Sequence, residues 1–401
     1  MIQRQEYLDS LMSFRDKKLI KVVTGIRRCG KSTLFELFQD YLRLDGVNDE
    51  QIISINLEEG EYDEIETYKQ LYNYIDEKIV QKKKMYIFID EVQRVVDFQR
   101  AVDSLYVKKN CDVYITGSNA YLLSGELATL LSGRYIEIKM LPLSFKEYIS
   151  VFPGDTNYER LYADYIQNSA FPYALEIAKP KDRRQYLQGI YDTIVLKDIV
   201  ARRKFPDIAM LKSVTRFMFD NIGNLCSTKK IADTMTSAGR KIAVHTVESY
   251  LSALTDCFIL YQIGRFDVKG KQYLKTGDKY YVADIGLRYA LLGTKKADMG
   301  HILENVVYLE LARRGYEIHI GKVGRTEVDF IAIGDGGEEY YQVAYTVIDT
   351  DGATLCRELA PLKAIGDHNP KFLLTMDNTP LTSHNGIKQI NVLDWLRSSS
   401  Y

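Results

Sequence analysis

Gly25-Ile26-Arg27-Arg28-Cys29-Gly30-Lys31-Ser32, followed by Thr33, is the stretch on which the reading of the fold turns. It continues KLIKVVTG (18–25), a short apolar run ending in glycine. It opens STLFELFQDYLRL (32–44), where Leu34, Leu37, Phe38, Tyr41 and Leu42 recur at helical spacing. GxxxxGK[ST] between a strand and a helix is the pattern of a phosphate loop. Its glycines let backbone N–H groups converge on phosphate oxygens, and the following helix adds the positive end of its dipole. Residues 25–33 are therefore the expected triphosphate-binding segment. Lys31 would neutralise the β- and γ-phosphates and the Ser32 hydroxyl would ligate Mg²⁺. Arg27 and Arg28 read as braces or phosphate contacts.

Working outward, QIISINLE (51–58), MYIFID (85–90) and DVYITGS (112–118) are strand-like, and YKQLYNYIDEKIVQKKK (68–84) is helical. Strands alternating with helices predict an α/β fold with a mostly parallel sheet. Asp90 ends an apolar strand expected beside the first one, at the carboxyl edge where such sheets bind ligands. It is the expected water-mediated Mg²⁺ holder. Glu91 is placed to orient or deprotonate a water attacking the γ-phosphate. At the end of the next strand, Asn119 and Ser118 are candidates to contact that phosphate or water. Arg134, in LLSGRYIEI, is a candidate transition-state cation, from its own subunit or across an oligomer.

Composition bounds the rest. The 401 residues are 46% hydrophobic and 27% charged with a net charge of −1, which excludes a disordered chain or a uniformly basic nucleic-acid coat. The five cysteines form no CxxC pair, so reduced thiols in a cytoplasm are expected, with neither a zinc site nor a disulfide framework. No signal-like core opens the chain and no uncharged stretch is long enough for a membrane span, so a cytoplasmic location is expected.

Residues 201–280 carry 14 Lys plus Arg against 7 Asp plus Glu, a net of +7. Ser227-Thr228-Lys229-Lys230-Ile231-Ala232 opens one helix. His245-Thr246-Val247-Glu248 opens another, capped by Thr246, with Val247, Tyr250, Leu251 and Leu254 on one face. The hairpin-like FILYQIGRFDVKGKQYLKTGDKYYVAD would be the wing of a winged helix-turn-helix. Lys229, Lys230, His245, Thr246, Lys269 and Lys271 are then candidate DNA contacts, with Arg265, Lys275 and Lys279 also on the ribbon. Many such modules bind proteins instead.

Downstream, Glu304 on a helix, Asp329 on a strand and Gln342 on the next strand have the layout of a restriction-endonuclease core. Glu327 shares the strand face of Asp329. That chemistry needs acids around Mg²⁺ and a lysine two residues past the second acid. Ala344 occupies that lysine position, so a degenerate, catalytically silent site is expected.

Taken together, GIRRCGKST, YIFIDEVQ, YITGSN, LSGRY with PLSFKEY, HTVESYL, LENVVYLELARRGYEI and TEVDFIA resemble one prokaryotic family over residues 15–390. These are AAA-type ATP-binding proteins with a C-terminal domain of unknown function. The resemblance implies ATP and Mg²⁺ at residues 25–32 and Asp90, with Glu91 catalytic. It also implies a winged helix and a PD-(D/E)XK-like end domain. The expected organisation is an ATPase domain over 1–152, a helical connector over 153–224, a winged helix-turn-helix over 225–295 and a nuclease-like domain over 296–401. The expected function is an ATPase switch acting on DNA or a protein partner, with oligomerisation left open. The alternatives are a DNA-binding regulator that senses nucleotide and a metal-dependent nuclease.

Overall fold

The computed structural model describes residues 2–120, 131–200, 203, 205–268, 270, 272–293 and 298–398. Two compact units emerge. One runs to Pro142 and includes Asp256–Phe258; the other comprises Leu143–Thr255 and the chain from Ile259 onward.

In the first unit a five-stranded sheet has the order β2 (Ile52–Asn56), β3 (Met85–Asp90), β4 (Cys111–Gly117), β1 (Ile20–Thr24), β5 (Tyr135–Lys139). Every neighbouring pair is parallel. β1, β3 and β4 are buried along their whole length. That burial explains their unbroken apolar runs, because helices cover both faces of such a sheet. The order corrects one expectation: β3 does not lie beside β1, since β4 pairs with both. The fifth strand, Tyr135–Lys139, lies outside the strands that the sequence pattern predicts. Its sequence YIEIK alternates weakly, as an edge strand with one covered side does. The helix expected over 68–84 is also shorter, Tyr68–Asp76. Beyond it Ile79 and Val80 pack against the core made by Ile53, Leu71, Ile87 and Leu105.

The second unit begins with helices, among them Tyr158–Asn168, Pro180–Thr193 and Ile208–Asp220. The two expected middle helices are present as Thr228–Ser237 and Val244–Asp256. Ser227 caps the first by accepting from the Lys230 N–H at 3.2 Å. The second starts at Val244, so Thr246 lies inside its first turn and is not its cap. An eight-stranded sheet follows, in the order β12 (Thr382–His384), β13 (Ile387–Asn391), β11 (Lys371–Thr375), β10 (Gly337–Ala344), β9 (Thr326–Gly334), β8 (Glu317–Val323), β6 (Leu260–Asp267), β7 (Gln272–Val282).

The ribbon expected as a free wing is β6–β7, and β6 also pairs in parallel with β8. It is thus the edge of the same sheet that carries the expected nuclease-like residues. Helix Met299–Arg313 contributes a long buried face to this unit, from Ile302 to Leu311. Among the described residues no helix is long and apolar enough to cross a membrane.

Candidate nucleotide site

The loop after β1 has its shape because of what surrounds it. A Cβ on Gly25 would sit 2.1 Å from the Met140 carbonyl oxygen, so only glycine lets the backbone pass. Arg28 (φ +68°) and Gly30 (φ +103°) take left-handed conformations that fold the loop back on itself. Helix Lys31–Leu44 then begins at Gly30 with no side-chain cap, leaving its first N–H groups for an outside acceptor. An anion is the natural acceptor at such an end.

Beneath the loop lies a residue that motif reading passed over. Arg4, 3% exposed, donates to the Cys29 carbonyl at 2.9 Å and to the Leu141 carbonyl at 2.7 Å. Its guanidinium also lies over the Tyr7 ring. Because a peptide unit is planar and trans, anchoring the Cys29 carbonyl points the Gly30 N–H the opposite way. Arg4 therefore sets the orientation of one of the loop's donors and places a positive charge under it. No local pattern marks this residue, since its partners are 25 and 137 positions away.

Lys31 is buried, and its ammonium donates to the carbonyls of Gly25 at 3.1 Å and Ile26 at 3.4 Å. It stands 3.8 Å from Glu91 Oε1. Asp90 is buried at the end of β3 and accepts hydrogen bonds from the Thr116 hydroxyl and from Ser32. Burial raises its carboxyl above the ordinary range; the bonds from Ser32 and Thr116 oppose that and the Glu91 charge adds to it. Ser32 and Asp90 thus form a pair of hard oxygen donors in contact, the donor chemistry Mg²⁺ takes.

Glu91 leaves β3 with φ +52°, and its N–H donates to Thr116 Oγ1 at 3.0 Å. Its carboxylate accepts from the Ser118 hydroxyl at 3.1 Å and from the Gln93 amide. The insertion of β4 between β1 and β3 has a direct consequence here. Thr116 and Ser118, at the end of β4, reach both carboxylates. Gln93 and Thr116 were not singled out as site residues, although YITGSN marks where Thr116 lies.

The remaining candidates have other described partners or none that bears on the triphosphate directly. Asn119 is buried and directs its amide to Cys257 Sγ at 3.5 Å. Arg134 is ion-paired with Asp103 and lies over the Tyr106 ring. Just before β5, its side chain is thus held against helix Phe98–Val107 of its own chain. Arg27 pairs with Glu58 at 2.7 Å, and Arg28 is exposed. Burial pushes the Glu58 carboxyl up, but the bond to Arg27 and the charges of Arg27, Arg94 and Arg28 together outweigh that and hold it below its ordinary range.

In the second unit Lys229, Lys230 and His245 are exposed and Thr246 is half-buried. Lys269 and Lys271, and the side chain of Lys275, lie outside the described residues. Arg265 and Lys279 are turned to Glu327, at 3.8 and 2.9 Å, so two cations expected on the wing surface face carboxylates instead. Lys279 also contacts Glu304 and Asp329, which brings together three of the acids singled out from the sequence.

Comparison with known proteins agrees with this division. The family model described as an AAA domain matches residues 17–149, and a domain of unknown function, DUF8612, matches residues 159–298. An uncharacterized protein of Haemophilus influenzae is 41% identical over 99% of this chain and 98% of its own. An uncharacterized protein of Methanocaldococcus jannaschii is 29% identical over 94% and 85%. Among solved structures, the Walker-type ATPase paby2304 of Pyrococcus abyssi superposes with a TM-score of 0.51. Its identity is 15%, and the match covers 73% of this chain and 96% of that one, a likeness of fold. The chain belongs to the family of the Haemophilus influenzae protein, with an AAA domain of P-loop NTPase fold followed by a domain of unknown function.

Proposed function

We propose that this protein is a Mg²⁺-dependent ATPase whose hydrolysis cycle switches the modules of the second unit, acting on DNA or a protein partner. One observation carries the reading: Lys31, Ser32, Asp90 and Glu91 lie together at the mouth of an uncapped helix, tied by Thr116 and Ser118. Mg²⁺ held by Ser32 and Asp90 would supply charge neutralisation at the β- and γ-phosphates. Lys31, released from the Gly25 and Ile26 carbonyls, would pair with the same phosphates.

Glu91 would take a proton from the water that attacks the γ-phosphorus, with ADP leaving as the bond to its β-phosphate oxygen breaks. Ser118 and Gln93 hold the Glu91 carboxylate until then. Only contacts that differ between ATP and ADP states can drive a shift in the second unit, and the γ-phosphate is the group that differs.

The test is turnover of ATP by purified protein, with and without nucleic acid. Lys31→Ala is expected to lose binding and turnover together, whereas Glu91→Gln keeps binding and loses turnover. Equal turnover in wild type and Glu91→Gln would remove the catalytic assignment. The second reading, a DNA-binding regulator that senses nucleotide, is favoured by the exposed Lys229, Lys230 and His245 on the two middle helices. DNA affinity that falls steeply with salt, and less steeply after Lys229 and Lys230 are replaced, would support it.

A further inference from the structure

The restriction-endonuclease layout of Glu304, Asp329 and Gln342 implies a divalent ion, and the donors can be tested for it one by one. Glu304 Oε1 already accepts from Lys279 at 2.8 Å and from the Tyr281 hydroxyl at 2.6 Å. Its other oxygen faces His301 Nδ1 at 3.4 Å. Asp329 Oδ1 lies 3.6 Å from Lys279, and Oδ2 accepts from the Val343 N–H at 2.9 Å. Gln342 accepts from the Asp329 N–H at 3.4 Å and donates to Glu358 at 2.9 Å. Glu327 binds Lys279 at 2.9 Å. Among the described residues no group of three or more His, Cys, Asp or Glu is arranged to hold a metal ion. The residues do not fit the implied ion.

What occupies the centre of the cluster is an ammonium group. Lys279 is 5% exposed and touches all three carboxylates, which come from helix Met299–Arg313 and from β9. Its own strand, β7, is separated from β9 by β6 and β8 in the sheet order. Between them the sheet is irregular, with register shifts at Ile263/Arg265 and His319/Gly321. Such bulges bend and twist a sheet. A strand position two residues past Gln342 offers only Ala344, so the amine of this cluster arrives from another strand altogether.

We propose that Lys279 is the resident counter-ion of the Glu304–Glu327–Asp329 cluster, standing where a divalent ion would be held. The end module then performs no divalent-ion chemistry, and the ammonium pins the β6–β7 ribbon to the rest of the sheet. Three carboxylates brought together without a cation repel one another and lose hydration, which is why the lysine is needed. Arg265 and His301, at the rim, face the same acids and add to the balance.

The test uses full-length, nucleotide-free protein and Mn²⁺ as the probe. Calorimetry of wild type against Asp329→Asn is expected to show no Mn²⁺ binding that the substitution removes. Thermal unfolding of Lys279→Met is expected to fall by about 5 °C or more. The Lys279→Met/Glu304→Gln double variant, which deletes one charge of each sign, is expected to recover at least half of that loss. If the single variant does not fold, the double variant still carries the comparison. The proposal is overturned by Mn²⁺ binding in wild type that Asp329→Asn abolishes. An unchanged melting temperature in Lys279→Met, or equal loss in the single and double variants, overturns it as well.

Discussion

Two buried lysines, each among carboxylates, sit in the two units of this protein and have opposite fates. Lys31 donates to two backbone carbonyls and stands 3.8 Å from Glu91, beyond a direct hydrogen bond. Lys279 is in contact with Glu304 and Glu327 at 2.8 and 2.9 Å. Burial alone would lower the Lys279 ammonium, but Glu304, Asp329 and Glu327 outweigh it and hold the group above its ordinary range. Among those acids, burial and the Glu304 charge push Asp329 up to about 7, whereas Lys279 and His301 hold Glu304 below its usual range against its own burial. The difference lies in what remains to be satisfied. The phosphate loop leaves uncapped N–H groups and a lysine on replaceable carbonyl partners, so an anion can enter. The acid cluster is closed by its own cation.

That contrast can be broken or sharpened by substitution. The largest effect is expected on the open side: Glu91→Gln should lower ATP turnover by roughly 10²–10⁴-fold while nucleotide affinity stays within a few-fold. Measured turnover close to wild type would make the site a binding pocket only. Next comes Arg4→Gln, which removes a charged donor from the Cys29 carbonyl. A bond of that kind contributes about 1.5–3 kcal/mol, so KM for ATP should rise roughly tenfold or more with kcat little changed. Arg4→Lys should recover part of the affinity. A kcat defect with normal KM would reassign Arg4 away from the loop.

The smallest effect is expected at Arg134, whose pair with Asp103 is partly exposed. Arg134→Ala should cost about 1 kcal/mol or less in unfolding and leave turnover unchanged. A collapse of turnover would instead indicate that Arg134 reaches the triphosphate of a neighbouring copy.

Much of the open site was legible in the chain. GIRRCGKS, the apolar strand ending in Asp90-Glu91 and the YITGSN strand end each carry their meaning within eight or ten residues. Local backbone geometry and a strand-to-helix transition are enough to specify them. The closed site was legible only as an inventory of acids. Its lysine falls on an expected wing surface because residues 258–284 read as an isolated hairpin, and nothing local states that β6 will pair with β8. Arg134 and Asn119 show the same limit. Their motifs place them near strand ends, but side-chain partners from Asp103 and Cys257 decide where they point.

The sequence by itself determined the α/β alternation, the phosphate loop and the pairing of Asp90 with Glu91. These rest on periodicity, glycine conformations and burial that short segments dictate. Tertiary structure alone decided that β4 separates β1 from β3, that Arg4 props the loop, and that Lys279 fills the acid cluster. Each of those depends on which distant backbone atoms or charges come within a few ångströms, and the interaction is made only when the whole sheet has closed.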